Sequence, residues 1–304
     1  MSKLFPKKYG LMFHHFHSSK TNKTEGSITK KKFENILKKI GLKNIISAQE
    51  FIKSSEKVCI TFDDSLKCQY DIALPVLNKY NLKAFWFLYS SSLNPKIDNI
   101  EIFRIFRNKR FINFNNFYKK FLNYLVHKKN LNSFLEKNHN EMKKVKKNYP
   151  FYSLIEIEFR FIRDKFLSKK QYVNLIKKMY VDFKFNYKKE AKNIFLNKSQ
   201  IKKLSKNGQI IGLHSHSHPT KISALSQNKQ LEEYKKNKVV LEKIINKKIT
   251  TSSHPSGDYN LDTLKVLKKL GIILSFRSNN KKDNKYLNTT YENLTVPRED
   301  HVNF

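Results

Sequence analysis

Apolar residues gather in short unbroken runs, separated by longer stretches in which they recur every three or four positions. Gly10-Leu11-Met12-Phe13, Val58-Cys59-Ile60-Thr61-Phe62 and Ala84-Phe85-Trp86-Phe87-Leu88 read as buried strands, being too short for buried helices and rich in β-branched and aromatic residues. Between the first two, Phe33, Ile36, Leu37 and Ile40 share a helical face and Gly41 follows as a stop. Residues 70–81 read as a helix containing Pro75. The rhythm returns near residue 197. Ser199 is expected to cap a short helix with Ile201 and Leu204 that stops at Gly208, and Gln209–Leu213 follows as a strand. A long helix over about 226–246 turns Leu231, Tyr234, Leu241 and Ile245 inward, and Ile249–Ser253 is the next strand. A helix capped by Asn260 and stopped at Gly271 leads to the strand Ile272–Phe276, and Leu294–Arg298 reads as a last strand tip. Repeated βα alternation predicts an α/β fold with a parallel sheet or barrel, its chemistry at the C-terminal strand ends.

The segment 97–195 breaks this rhythm. Its period is helical throughout, with Phe114, Phe117, Tyr118, Phe121, Leu122 and Leu125 on one face. Residues 101–195 hold 24 Lys+Arg against 8 Asp+Glu, and 21 of the chain's 40 aromatic residues. Interleaved basic and aromatic residues can bind single strands or sugars. At helical spacing, the simpler expectation is the buried face of a helical insertion.

The 304-residue chain carries a net charge of +36, which invites a nucleic-acid reading. Its makeup argues against one. Only 7 of the 61 basic residues are Arg, while 54 are Lys and 32 further residues are Asn. Bidentate recognition of phosphates and bases calls for Arg, so the balance reads as compositional drift. The field still favours anionic ligands or a peripheral contact with an anionic membrane surface. No apolar run approaches about 18 residues, so no transmembrane helix is expected, nor does the N-terminus read as an export signal. Cys59 and Cys68 form neither a disulfide framework nor a CxxC site, so a reduced, cytoplasmic protein is expected.

Six of the ten histidines lie in two clusters, at 14–17 and 214–218, each directly after an apolar strand. His214 and His218 are spaced so that two imidazoles can converge on one cation, and a carboxylate would complete a three-ligand site with positions left open. Asp63-Asp64 supplies two candidates. Adjacent carboxylates at a strand tip repel unless a cation or proton separates them, and a cation on one leaves the other free as a base.

Thr61-Phe62-Asp63-Asp64, then His214-Ser215-x-x-His218, then Pro255-x-Gly257, in that order and all at strand ends, resembles the polysaccharide deacetylase family over residues ~10–95 and ~197–300. The resemblance implies a distorted (β/α) barrel, here a single domain over 1–304. The insertion 97–195 departs from the family's shorter connection and could roof the cleft. It implies removal of an acetyl group from an N-acetylated sugar with a divalent metal, commonly zinc. By position, Asp64, His214 and His218 would ligate the metal and Asp63 would be the general base, while His216 matches no ligand and is expected behind the ligands or in solvent. A backbone N–H near Ser256 or Tyr259 would meet the oxyanion. The general acid of some members is a C-terminal histidine after Leu-x, and His301 lacks that Leu. Other members carry it in an early Tyr-His strand, which Phe13-His14 resembles, so His14 is expected in that role with His15 as the alternate. Two departures stand out: Ser253 replaces the family's third-motif Arg and Ser256 its aromatic residue. Arg298 is the candidate to orient Asp63 instead. The alternatives to an enzyme are a non-catalytic carbohydrate-binding relative or a basic nucleic-acid-binding protein.

Overall fold

In the computed structural model, residues 8–19, 21, 23–54, 57–125, 128–148, 152–279, 286 and 289–304 are described. The chain divides into two compact units, one made of the described residues of Met1–Pro95 with Ile194–Phe304, the other of Lys96–Asn193. The first contains seven strands: β1 Lys8–Phe13, β2 Lys57–Phe62, β3 Phe85–Leu88, β4 Ile210–Leu213, β5 Thr251–Ser253, β6 Leu274–Phe276 and β7 Arg298–Asp300. Their order is β6-β5-β4-β3-β2-β1-β7, and every pairing is parallel. A parallel bridge from Phe276 to Val296 links β6 to the residues just before β7. The sheet therefore nearly closes into the distorted (β/α) barrel expected from the sequence.

Both faces of these strands are buried, which is why they read as unbroken apolar runs. The period of two sends Ile60, Phe62, Trp86 and Leu88 outward beneath the helices, where Phe33, Ile36 and Leu37 of the helix Lys30–Ile40 join them. It sends Cys59, Phe85, Phe87 and Phe276 inward. The rings of Phe85, Phe87 and Phe276 lie 5.3–5.8 Å apart and fill the interior. A barrel plugged in this way can host chemistry only on its rim.

Several boundaries differ from the expected ones. The short helix is Lys198–Lys206, capped by Asn197 rather than Ser199, because Asn197 and Gln200 complete a reciprocal capping box. The segment read as one helix over 70–81 begins as a π-turn, Gln69–Ala73, and becomes α-helical over Leu74–Lys79, where Pro75 falls in the first turn. The final strand begins at Arg298, where the expected tip ended, and Glu292–Leu294 is a 3-10 turn.

The second unit is helical, with Ile100–Arg110, Phe114–Asn123, Leu131–Asn148, Leu154–Phe161 and Lys169–Asp182 as its longer helices. Phe103, Phe106, Phe117, Phe121, Phe159 and Tyr180 are buried, and Phe117 contacts Phe103, Phe121 and Phe159 edge-on or tilted. These aromatics form the unit's core, which removes them from any surface that could stack bases. Among the described residues no helix is long and apolar enough to cross a membrane.

Candidate metal and catalytic site

Parallel strands end on one rim, and the register carries the sequence candidates there together. Phe13 pairs with Phe62, so His14 and Asp63 stand side by side as the next residues of their strands. Leu213 pairs with Ser252, which brings His214 and Ser253 level. The His214 amide donates to Asn237 Oδ1 at 3.0 Å, and Asn237 Nδ2 donates to the Leu88 carbonyl. This buried asparagine of the helix Gln227–Ile245 thereby pins the end of β4. Gln69, in the π-turn, donates through Nε2 to the carbonyls of both Asp63 and His14, at 2.6 and 2.9 Å. Nothing in the sequence pattern marks Asn237 or Gln69 for these tasks.

Asp64, His214 and His218 present ligand atoms that all lie within 4.8 Å of one another. Nε2 of His214 is 3.5 Å and Nε2 of His218 is 3.3 Å from Oδ1 of Asp64. Asp64 (φ 75°) and His218 (φ 54°) both hold left-handed backbone, as does Ser215 (φ 58°). Non-glycine residues there are strained, and such strain concentrates at functional sites. Nδ1 of His214 lies 3.0 Å from the Ser253 carbonyl oxygen. That carbonyl can only accept, so Nδ1 carries a proton, which leaves Nε2 as the nitrogen that an ion would take. Two imidazole nitrogens and one carboxylate oxygen form a donor set that suits zinc and leaves coordination positions open.

Asp63, 2% exposed, does not join that triad. Its carboxylate is held by Arg298, Nη1 to Oδ1 at 2.8 Å and Nη2 to Oδ2 at 2.7 Å. Gly10 on β1 makes room for this pair: a Cβ there would lie 3.2 Å from Arg298 Cγ and 3.0 Å from Thr61 Cγ2. Burial pushes the Asp63 pKa up, but the Arg298 guanidinium, with His214 and His14, outweighs it and leaves Asp63 below its ordinary value. Burial likewise acts against ionised Asp64, and the facing imidazoles hold it well below the usual carboxylate range.

His14 flanks the carboxylates, its Nε2 3.9 Å from Oδ2 of both Asp63 and Asp64. Burial lowers its pKa, against the pull of Asp64, Asp63 and Asp300. The ring of His15 lies 6.4 Å from that of His14. His216 is half-buried, with Nδ1 2.8 Å from Ser90 Oγ. His301 is buried, its ring 5.7 Å from that of Phe13 and its Nε2 2.9 Å from the Gly26 carbonyl. Ser256 sits in the 3-10 turn Pro255–Gly257 with φ 55°.

A family model described as polysaccharide deacetylase matches residues 52–105 and 169–274, more than half of the chain. Those segments contain Asp63, Asp64, His214 and His218, while His14 and Arg298 lie outside them. No curated protein matches. Among solved structures the chain is similar to the deacetylase PplD of Streptococcus pyogenes, in complex with acetate, at 17% identity and TM-score 0.55, covering 97% of this chain and 92% of that one. It is similar to IcaB from Ammonifex degensii at 14% identity and TM-score 0.55, covering 96% and 90%. A de-N-acetylase from Aggregatibacter actinomycetemcomitans aligns at 16% identity and TM-score 0.52, covering 96% and 93%. At such identities the likeness is one of fold.

Proposed function

Since the chain belongs to the polysaccharide deacetylase family, we propose that it is a metal-dependent hydrolase that removes the acetyl group from an N-acetylated sugar. The observation that carries this reading is the convergence of Asp64, His214 and His218 within 4.8 Å, beside a second, separately clamped carboxylate. Asp64, His214 and His218 would hold the ion, with zinc the first choice for this donor set. When bound, such an ion polarises a carbonyl and makes water more acidic.

The protein's own groups divide the proton traffic between them. Asp63, kept ionised by Arg298, accepts the proton of the attacking water. Its two oxygens are already fixed by the guanidinium, so it needs no reorganisation to do so. His14, with Nε2 3.9 Å from Oδ2 of both carboxylates, protonates the departing amine nitrogen. Burial lowers its pKa, and against that Asp64 and Asp63 favour its protonated form. Arg298 is 1% exposed and touches Asp63 through Nη1 and Nη2. That contact supports a working base despite Ser253 in place of the third-motif Arg, the departure that by itself would favour a non-catalytic binding relative.

The substrate class is an acetylated glycan or glycoconjugate precursor. A net charge of +36 supports work beside an anionic membrane surface, and two free cysteines suit a reducing, cytoplasmic compartment. The test is acetate release from N-acetylglucosamine oligomers by zinc-loaded protein, compared with Asp63→Asn. Release by the wild type alone is the expected result. Stoichiometric metal binding with no release from any acetylated sugar would turn the reading toward the binding relative.

A further inference from the structure

Ser253 ends β5 and is fully buried. Its hydroxyl donates to Oδ1 of Asp63 at 3.2 Å and lies 2.7 Å from Nδ1 of His214, whose other close neighbour is the Ser253 carbonyl at 3.0 Å. One residue thus contacts both the proposed base and a proposed metal ligand. Its position is the one at which the family pattern places an arginine.

The proton inventory gives this contact a direction. A serine hydroxyl has one proton, and a neutral imidazole has one protonated and one bare nitrogen. The Ser253 carbonyl can only accept, so the imidazole proton sits on Nδ1, shared between the carbonyl and Oγ. The hydroxyl proton then has a single destination, Oδ1 of Asp63. With the opposite arrangement, Nδ1 would turn a bare lone pair toward a carbonyl oxygen 3.0 Å away, and Nε2 would present a proton to Asp64 instead of a ligand lone pair.

Resting on the deacetylase reading, we propose that Ser253 is a positioning residue that couples His214 to Asp63: its carbonyl and hydroxyl fix the imidazole with Nε2 free for the metal, and the same hydroxyl fixes the base carboxylate. An arginine at 253 would crowd Arg298, which already occupies the buried space beside Asp63. A small hydroxyl residue on β5 and the guanidinium on β7 therefore share the orientation of Asp63, and the hydroxyl extends it to the metal ligand.

The test compares wild type, Ser253→Ala and Ser253→Thr as zinc-loaded full-length protein. Three quantities are read: zinc affinity by chelator competition, kcat and KM for acetate release from an N-acetylglucosamine oligomer, and the His214 tautomer by imidazole 15N NMR. Ser253→Ala should lower kcat about 10–100-fold, with KM little changed and a smaller loss of zinc affinity, because the carbonyl contact survives. Ser253→Thr should restore most of kcat. The wild-type spectrum should show His214 protonated at Nδ1. Unchanged kcat in Ser253→Ala, or losses that Thr does not rescue and that track a lowered melting temperature, would overturn the coupling. If wild type releases no acetate, the deacetylase reading fails, yet the coupling is still decided. A His214 proton on Nε2, or zinc affinity that is the same in all three proteins, would contradict it, and an Nδ1 proton with weakened affinity in Ser253→Ala would uphold it.

Discussion

Arg298 and Asp63, 235 positions apart, meet as a buried pair in which Nη1 and Nη2 each donate to one carboxylate oxygen. The last strand of the barrel therefore completes a site whose other members come from the first, second and fourth strand ends. A bidentate grip fixes the carboxylate plane as well as its charge, which is what a base aimed at one water requires.

Arg298→Ala leaves Asp63 buried and unpaired and should destabilise the fold by about 3–5 kcal/mol, measured by denaturant unfolding. Arg298→Lys keeps the charge but offers a single point donor. It should recover much of the stability while acetate release stays at least about tenfold below wild type. Full activity in the Lys variant would show that the two-point contact is dispensable.

The neighbouring aspartates should separate cleanly. Asp63→Asn should keep one metal per chain and lose roughly 100- to 10,000-fold in turnover, whereas Asp64→Asn or His218→Ala should lose the metal and with it all activity. Metal content after gel filtration and acetate release on the same samples distinguish the two outcomes.

For the acid, the geometry favours His14, whose Nε2 faces both carboxylates at 3.9 Å. His14→Ala should cut kcat by about 100-fold or more with zinc still bound. His15→Ala should stay within a few-fold of wild type, and the reverse pattern would transfer the role.

Stability should fall on mild acidification, and His254 supplies the reason. It is fully buried, with Nε2 2.8 Å from the Leu294 carbonyl, and its Nδ1 has no partner among the described residues. Burial lowers its pKa to about 4, the backbone bond opposing and the charges of Arg298 and His214 assisting. An imidazole whose pKa is lower folded than unfolded binds its proton more readily in the unfolded chain. The stability it confers is therefore complete above about pH 6.5 and drains away toward pH 4, by about 2–3 kcal/mol. The lowered Asp63 and Asp64 add losses in the same direction, but only below the ordinary carboxylate range. His14, also lowered by burial, adds a loss in the same window. Urea unfolding at pH 7 and 4.5 should reveal the drop, and His254→Asn should reduce it.

Legibility in the sequence followed how local each interaction is. Strands such as Phe85–Leu88 were readable because burial on both faces writes an unbroken apolar run. Asp64, His214 and His218 were readable because each directly follows or lies close behind such a run. Arg298 stood out through rarity, as one of seven arginines at a strand tip. What stayed hidden depends on side chains meeting across the barrel. Ser253 looked like a missing arginine, and only the approach of β5 to Asp63 and His214 gives its hydroxyl two partners. Gln69 was invisible because a π-turn, not a helix of ordinary period, aims its amide at two strand-end carbonyls. The exchange of Ser199 for Asn197 as helix cap is a two-residue slip between equally good capping residues.

The central claim is that one divalent ion binds between Asp64, His214 and His218 with Asp63 beside it. Anomalous diffraction at the zinc edge from zinc-soaked crystals tests it most directly. One strong peak within bonding distance of Nε2 of His214, Nε2 of His218 and an oxygen of Asp64, with Asp63 still paired to Arg298, is the expected result. A peak elsewhere, or none at saturating zinc, would contradict it.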